Sequence, residues 1–247
     1  METYSNNWKR LNPEYDIKLY DDEMCEHFLF NEYGQLYLDI FKFLKDGLIK
    51  ADFWRLCVLY KYGGVYSDID NEPFIPIDNF LEPNIDFLTC SSYWDSENIN
   101  FNPNFIISHK ENVILEKCIN WYIDKYTNHK KNNLPYQSFE SERRSLCYKW
   151  SIMRAFTDVL HLDNYHKKDG IYYLDNMKIQ ILKECPGNNH YDAHNVYKNM
   201  RVFNNRYTDW DCNTHSFITT LKDKEKANEK EKEKEIQNAD LTKYYFV

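Results

Sequence analysis

From Ala51 to Tyr62 the chain is apolar or aromatic at nearly every position. It lacks the wet face of a surface helix and so predicts a helix buried all round. Asp52 and Arg55 interrupt the run, three apart and therefore on one side of that helix. A charged pair in apolar surroundings persists only when it is paired or holds something polar. Spacing alone leaves two readings open, an ion pair of the fold or a ligand contact. Gly63-Gly64 stands where a helix stops, because glycine takes the left-handed conformation at the C-terminal end without a Cβ clash. Val65 to Asp70 then predicts a strand, with Val65, Ser67 and Ile69 on one face and Tyr66, Asp68 and Asp70 on the other. Both carboxylates would point the same way, about 6–7 Å apart along the strand.

The same patterning predicts a strand over Tyr15 to Tyr20, helices over Met24 to Tyr33 and Gln35 to Leu44, and a buried strand over Phe87 to Ser92. Further helices are predicted over Val113 to Lys125 and Leu146 to Leu160. Strands and helices in alternation indicate an α/β architecture.

Two carboxylates at a strand end suit a hard divalent cation. Mg²⁺ or Mn²⁺ takes one or two of them and completes its shell with water and phosphate oxygens, which a diphosphate ligand would supply. A calcium loop of the EF-hand type does not fit: Asp68, Asp70 and Glu72 mimic its first odd positions, but Pro73 stands where its glycine belongs and Asn79 where its bidentate Glu belongs. An acidic turn with no ligand is the plainer alternative. His190 and His194 lie four apart but lack the general-base Glu of a zinc protease. Neither a Walker loop nor G-x-G-x-x-G occurs, so those phosphate cradles are excluded.

The full run A-D-x-x-R-x-x-x-L-Y-x-Y-G-G-V-Y-x-D-x-D, from Ala51 to Asp70, resembles the DXD-containing sugar-binding region of glycosyltransferase family 32. That family includes α-1,6-mannosyltransferases and capsular polysaccharide enzymes. Trp8 to Asp22 is similar to the family's W-x-x-x-N-P-x-Y-x-x-x-L-W-D-D segment, and Asn104 to Lys110 to its N-x-x-I-x-S-x-x element. The resemblance is good over about residues 8 to 125.

It implies a GT-A fold of the nucleotide-binding α/β kind. It also implies metal-dependent transfer of a sugar from a UDP- or GDP-sugar donor to a glycan, glycolipid or glycoprotein acceptor, with retention of configuration. Carried onto this chain, Asp52 and Arg55 would hold hydroxyls of the donor sugar. Asp68 would meet the ribose and the metal's water shell, and Asp70 would ligate Mn²⁺ or Mg²⁺. Tyr66, Asn104 and Trp210 fall on matching segments and would line the substrate, while Asp68, Asp70 and Arg55 would carry the chemistry. The family's opening strand, I-P-K-x-I-H-Q-x-W, should be missing or replaced, since seven residues precede Trp8. In the family's H-x-x-x-x-S-W element, Asn204 takes the His place, where its amide oxygen would serve as a metal ligand. A catalytically inactive relative, kept as a binding or assembly subunit, is the alternative function.

Composition adds limits. A chain of 247 residues without a Pro/Gly/Ser-rich linker predicts one α/β domain over 1–221 and a charged flexible tail over 222–247. From Lys222 to Glu235 the tail holds six lysines and six acids, so the net charge of −8 lies in the body and nucleic acid is an unsuitable partner. Like charges would meet at i,i+4 there, as at Glu229 and Glu233, which disfavours a stable helix. The terminal Leu241–Val247 differs: its apolar run would dock on the body or on a partner. Deletion of 222–247 is expected to leave donor hydrolysis near normal. Apolar runs too short for a bilayer and no opening signal peptide predict a cytoplasmic protein without a transmembrane segment, or one peripheral to a membrane. Seven scattered cysteines without C-x-x-C predict reduced core thiols.

Overall fold

The computed structural model describes residues 2–96, 99–132, 150–162, 168–187, 192–206, 210–211, 216–217 and 245–246. Its helices are α1 (Glu2–Leu11), α2 (Asp22–Tyr33), α3 (Gln35–Phe43), α4 (Gly47–Tyr62), α5 (Val113–Lys131) and α6 (Ile152–Leu160). The strands begin with β1 (Leu19–Tyr20), β2 (Gly64–Ser67), β3 (Asn71–Pro73), β4 (Phe87–Ser96), β5 (Ile99–Phe101) and β6 (Phe105–Ser108). They continue with β7 (Gly170–Leu174), β8 (Met177–Pro186), β9 (Asp192–Tyr197) and β10 (Met200–Arg206). The last are β11 (Trp210–Asp211), β12 (Ser216–Phe217) and β13 (Tyr245–Phe246). The main sheet runs β1-β13-β2-β6-β4-β8-β9-β10-β3, with β5 beside β4 and β7 beside β8, while β11 and β12 pair separately.

This is the mixed α/β architecture that the alternating pattern predicts. Alternation along the central strands sends side chains into two cores, one on each face. Phe87, Ile106, Ile179 and Ile181 join the helical side with Trp54, Leu56, Leu115 and Phe156. Leu88, Phe105 and Leu182 join the other side with Trp8, Ile77 and Phe203.

Helix α4 is buried at every position from Ala51 to Leu59, as the unbroken apolar run requires. It ends at Gly63, whose N–H donates to the Leu59 carbonyl at 2.8 Å. Gly63 has φ +69°, and a Cβ there would lie 2.7 Å from the Lys110 backbone nitrogen. Backbone of this kind belongs to glycine. Gly63→Ala is therefore expected to cost about 2 kcal/mol or more in urea unfolding, and a change under about 0.5 kcal/mol would contradict the tight approach.

Two predicted elements are corrected. The strand expected over Val65–Asp70 stops at Ser67, because the chain folds back and the Asn71 N–H donates to the Asp68 carbonyl at 3.1 Å. The strand expected over Tyr15–Tyr20 shrinks to Leu19–Tyr20, since the Tyr15 N–H turns back to the Asn12 carbonyl. The opening residues form α1 in place of the family's opening strand, in line with the expectation that this strand is missing or replaced, and Trp8 on that helix packs flat against Phe105 at 5.4 Å. The other predicted helices match α2, α3 and α5, and the strand at Phe87 extends to Ser96. Helix α6 starts at Ile152, where Ser151 caps it by accepting from the Met153 N–H; residues 146–149 lie outside the described residues.

Cys25, Cys57, Cys90 and Cys118 are buried free thiols and Cys185 is a half-buried one; Cys147 and Cys212 lie outside the described residues. Among the described residues no helix is long and apolar enough to cross a membrane.

Candidate functional site

The site grows from the end of β2. Tyr66 and Asp68 share a face of the strand, and the Tyr66 hydroxyl donates to Asp68 Oδ1 at 2.6 Å. Arg55 reaches the same Asp68 oxygen at 3.3 Å and Asp52 at 3.1 Å. Its guanidinium lies over the Tyr66 ring, 4.2 Å from the centroid. It also donates to the carbonyls of Pro103 at 2.6 Å and Ala51 at 3.3 Å. The planar fork is thus shared among protein acceptors, a use that suits Arg and not Lys.

Asp52 is equally committed. One oxygen faces Arg55, and the other accepts the Ile152 N–H at 3.0 Å, at the start of α6. A carboxylate there also meets the positive end of that helix. Asp52 and Arg55 are only 7% and 4% exposed. Of the two readings open from sequence, the geometry favours an ion pair of the fold for both residues.

Burial raises the Asp52 carboxyl to about 6 from an ordinary 3.8, even though Arg55 and the Ile152 N–H pull it down. Burial also opposes the Arg55 charge, but Tyr66, Asp68 and Asp52 outweigh it and hold the guanidinium above its usual range. Asp68 is raised by burial against the pull of Arg55 and Tyr66.

A raised carboxyl keeps its proton in the folded state after the unfolded chain has released it. Asp52 should therefore make stability fall as pH rises from about 4 to about 6, by roughly 3 kcal/mol. Urea unfolding across that window should show a flatter pH profile for Asp52→Asn than for the unmodified chain. A steeper fall in the variant would contradict the assignment.

Asp68 Oδ2 makes no bond among the described residues that parallels those of Oδ1, and the side chain is 34% exposed. Asp70 follows in the turn, half-buried, and no longer shares a strand face with Asp68. The expected spacing of two carboxylates along one strand is therefore replaced by a carboxylate at the strand end and another in the turn beyond it.

Buried amides build the turn, and periodicity gave no sign of them. The Asp68 N–H donates to the Asn104 carbonyl at 2.8 Å. Asn71 Nδ2 donates to the same carbonyl at 2.9 Å and to Ser67 Oγ at 3.0 Å. Trp8 Nε1 donates to the Asn71 carbonyl at 3.0 Å, fixing the turn from the far face. The Asn104 side chain is 4% exposed, with neither amide atom hydrogen-bonded. A buried amide left open is costly unless something polar meets it.

Asn204 sits on β10 opposite Glu72, and its oxygen accepts from Arg201 Nε at 2.8 Å while Nδ2 donates to Glu72 at 3.3 Å. That oxygen is already engaged. Trp210 begins β11, and its side chain lies outside the described residues, as does His190. His194 sits on β9 opposite Asn204, apart from Asp68. Among the described residues no group of three or more His, Cys, Asp and Glu is placed to hold a metal. A cavity of about 400 Å³ lies along Trp8, Tyr15, Lys18 and Val65 and touches none of Asp52, Arg55, Asp68 or Asp70.

Comparison with known proteins falls on this same corner. Residues 1–87, which carry α1 through the turn at Asp70 and on to the start of β4, match the family described as the glycosyltransferase sugar-binding region containing the DXD motif. Over these residues the chain is similar to the DXD-containing glycosyltransferases. The chain is 30% identical over 80 residues to an initiation-specific alpha-1,6-mannosyltransferase of Candida albicans, covering 32% of this chain and 21% of the relative. The Saccharomyces cerevisiae protein of the same name is 27% identical over 137 residues, 49% of this chain and 28% of the relative. The mannosyl phosphorylinositol ceramide synthase SUR1 of Saccharomyces cerevisiae is 36% identical over 77 residues, 28% of this chain and 20% of the relative. The match thus spans between a fifth and three tenths of the length of these relatives.

Proposed function

We propose that the chain is a metal-dependent hexosyltransferase of GT-A type, moving a sugar with retention from a UDP- or GDP-sugar to a glycan, glycolipid or glycoprotein acceptor. The observation that carries this reading is Asp68 at the end of β2. One of its oxygens is anchored by Arg55 and Tyr66, and Asp70 lies in the turn beyond. The names of the relatives point to mannose as the sugar, which favours a GDP-linked donor.

The residues present fit a divalent ion. Two carboxylates without a closed cage suit Mn²⁺ or Mg²⁺, which keep several positions for water and phosphate. In this reading Asp70 ligates the ion and Asp68 supports its water shell. The metal, when bound, supplies counter-charge to the departing diphosphate. Asn104, buried with an open amide, offers both a donor and an acceptor to a hydroxyl of the substrate. Asn204 is a weaker candidate ligand, because its oxygen would first have to leave Arg201.

Arg55 and Asp52 take a positioning role instead of direct contact with sugar. Arg55 fixes the inner oxygen of Asp68, so its outer oxygen is presented without rotation of the carboxylate. Such preorganisation removes the cost of arranging the group when the substrate arrives.

Hydrolysis of GDP-mannose and UDP-sugars without acceptor tests the activity. Slow, Mn²⁺-dependent release of nucleoside diphosphate is expected from the unmodified chain and not from Asp70→Ala. Nucleotide binding without any turnover would favour the inactive relative.

A further inference from the structure

Glu184 on β8 is a buried carboxylate, 2% exposed, on the sheet face that Leu182 shares with Trp8 and Phe203. A carboxylate is taken out of water only against strong local partners. Three donors converge on this one. Oε1 accepts from Asn102 Nδ2 at 2.6 Å and from Asn205 Nδ2 at 2.8 Å, and Oε2 accepts from the Tyr93 N–H at 3.1 Å. The main chain of Glu184 is fixed as well, its N–H donating to Ser91 Oγ at 3.3 Å.

Both amides lead to the Asp68–Asp70 turn. Asn102 opens the segment Asn102–Asn104 between β5 and β6, and its own N–H donates to the Cys90 carbonyl at 2.9 Å. The next carbonyl, of Pro103, takes Arg55 at 2.6 Å. The one after, of Asn104, takes the Asp68 N–H at 2.8 Å and Asn71 Nδ2 at 2.9 Å. Pro103 between them has a fixed φ, so this segment is a stiff strut from Glu184 to Asp68. Asn205 reaches the same place by another path. It stands opposite Asn71 in the β10–β3 ladder, and the Asn71 N–H closes the turn on the Asp68 carbonyl. One oxygen of Glu184 thus joins the two chain segments that frame the turn.

We propose that Glu184 is a positioning residue for the carboxylates of this turn, holding the Asn102–Asn104 segment and β10 in place behind them. Its effect on nucleotide binding rests on the proposed function; its hold on the turn does not. The interior around it favours position over stability. Because a carboxylate only accepts, Asn205 must turn Nδ2 toward it, and the Asn205 side-chain oxygen has no hydrogen-bond partner among the described residues. Asn195, directly opposite Glu184 on β9 and fully buried, has neither amide atom bonded among those residues. Buried polar atoms left open are destabilising, and an apolar row would pack here without them. Local rules broken in this way inside a sheet point to a place kept for function.

The test is Glu184→Gln in the full chain. Glutamine cannot accept from all three donors, since its own NH₂ meets either the two amides or the Tyr93 N–H. Amide exchange followed by NMR should quicken about tenfold at Asp68 and Asn71 relative to Val58 and Leu59 of α4, as local opening without global unfolding requires. Mn²⁺-dependent nucleotide affinity, measured where the variant is fully folded, should fall about tenfold, as when an outer partner of a metal ligand is lost. Combining Glu184→Gln with Asn205→Asp moves the carboxylate to the other side of the same bond and should recover most of both losses. A residue that only fills space gives no such recovery. If Glu184→Gln does not fold, Asn205→Ala decides: it cuts one path, leaves Glu184 with Asn102 and Tyr93, and should quicken exchange at Asn71 roughly threefold. Unchanged exchange at Asn71 in the variant that folds, no recovery in the combined variant, or loosened amides with undiminished nucleotide affinity would overturn the proposal. If the amides loosen and recover as expected while the unmodified chain binds neither GDP nor UDP with Mn²⁺, the proposed function fails and the hold on the turn stands.

Discussion

Replacing Arg55 by Ala should destabilise the chain by about 3–5 kcal/mol, because two carboxylates would lose their shared cation and the buried Pro103 carbonyl its guanidinium donor. Asp52 is nearly fully buried and Asp68 is held from its inner side, so neither regains full hydration in the folded state. The effect should be largest at neutral pH, where Asp52 is ionised, and smaller near pH 4, where it holds its proton. Arg55→Lys should recover only part of the loss, since an ammonium cannot span Asp52, Asp68 and the Pro103 carbonyl together. Urea unfolding of both variants at pH 4 and pH 7 checks this. A stable Arg55→Lys variant that has lost only turnover would instead place the guanidinium on the donor sugar.

The second large effect is expected at Asp70. Asp70→Asn should lower Mn²⁺-dependent nucleotide affinity by at least roughly 100-fold, beyond the loss seen when an outer partner of a metal ligand is removed. Stability should change by about 1 kcal/mol or less, because the turn is held by backbone and amide contacts of Asp68, Asn71 and Asn104. Asp68→Asn should differ in kind. It weakens binding and also disturbs Arg55 and Tyr66, whose inner bonds end on that carboxylate. Calorimetry paired with urea unfolding separates the two residues. Equal stability losses at Asp68 and Asp70 would make the turn a structural feature only.

Local signals in the sequence carried the scaffold of this corner. An unbroken apolar run read as a helix without a wet face, and Gly63 read as its end, because both depend on neighbours within a turn of chain. The period of two placed Tyr66 beside Asp68 correctly for as long as the strand lasts. It failed at Asp70, where the ladder to β6 ends and Asn71 folds back on Asp68. The period of two does not announce that turn. Local bonds of Asn71 to Asp68 and Ser67 close it, and Asn104 from across the sheet and Trp8 from 63 residues earlier hold it.

The same limit applies to Arg55 and Asp52. Their spacing put them on one side of a helix, but the partners that decide their role are Pro103 and Ile152. The pairing of Tyr245–Phe246 between β1 and β2 was not legible, since strand order is a long-range property. The DXD resemblance supplied the chemistry that neither periodicity nor spacing contained, and the family match over residues 1–87 supports that part of it.

The most direct test of the donor site at the Asp68–Asp70 turn is calorimetric titration of the full chain with GDP and with UDP, each with Mn²⁺ and with EDTA. One nucleotide should bind with Mn²⁺ and fail to bind with EDTA, and the heat should vanish in Asp70→Asn. Absence of binding by both nucleotides in Mn²⁺, or binding that survives EDTA and the Asp70 substitution unchanged, would contradict it.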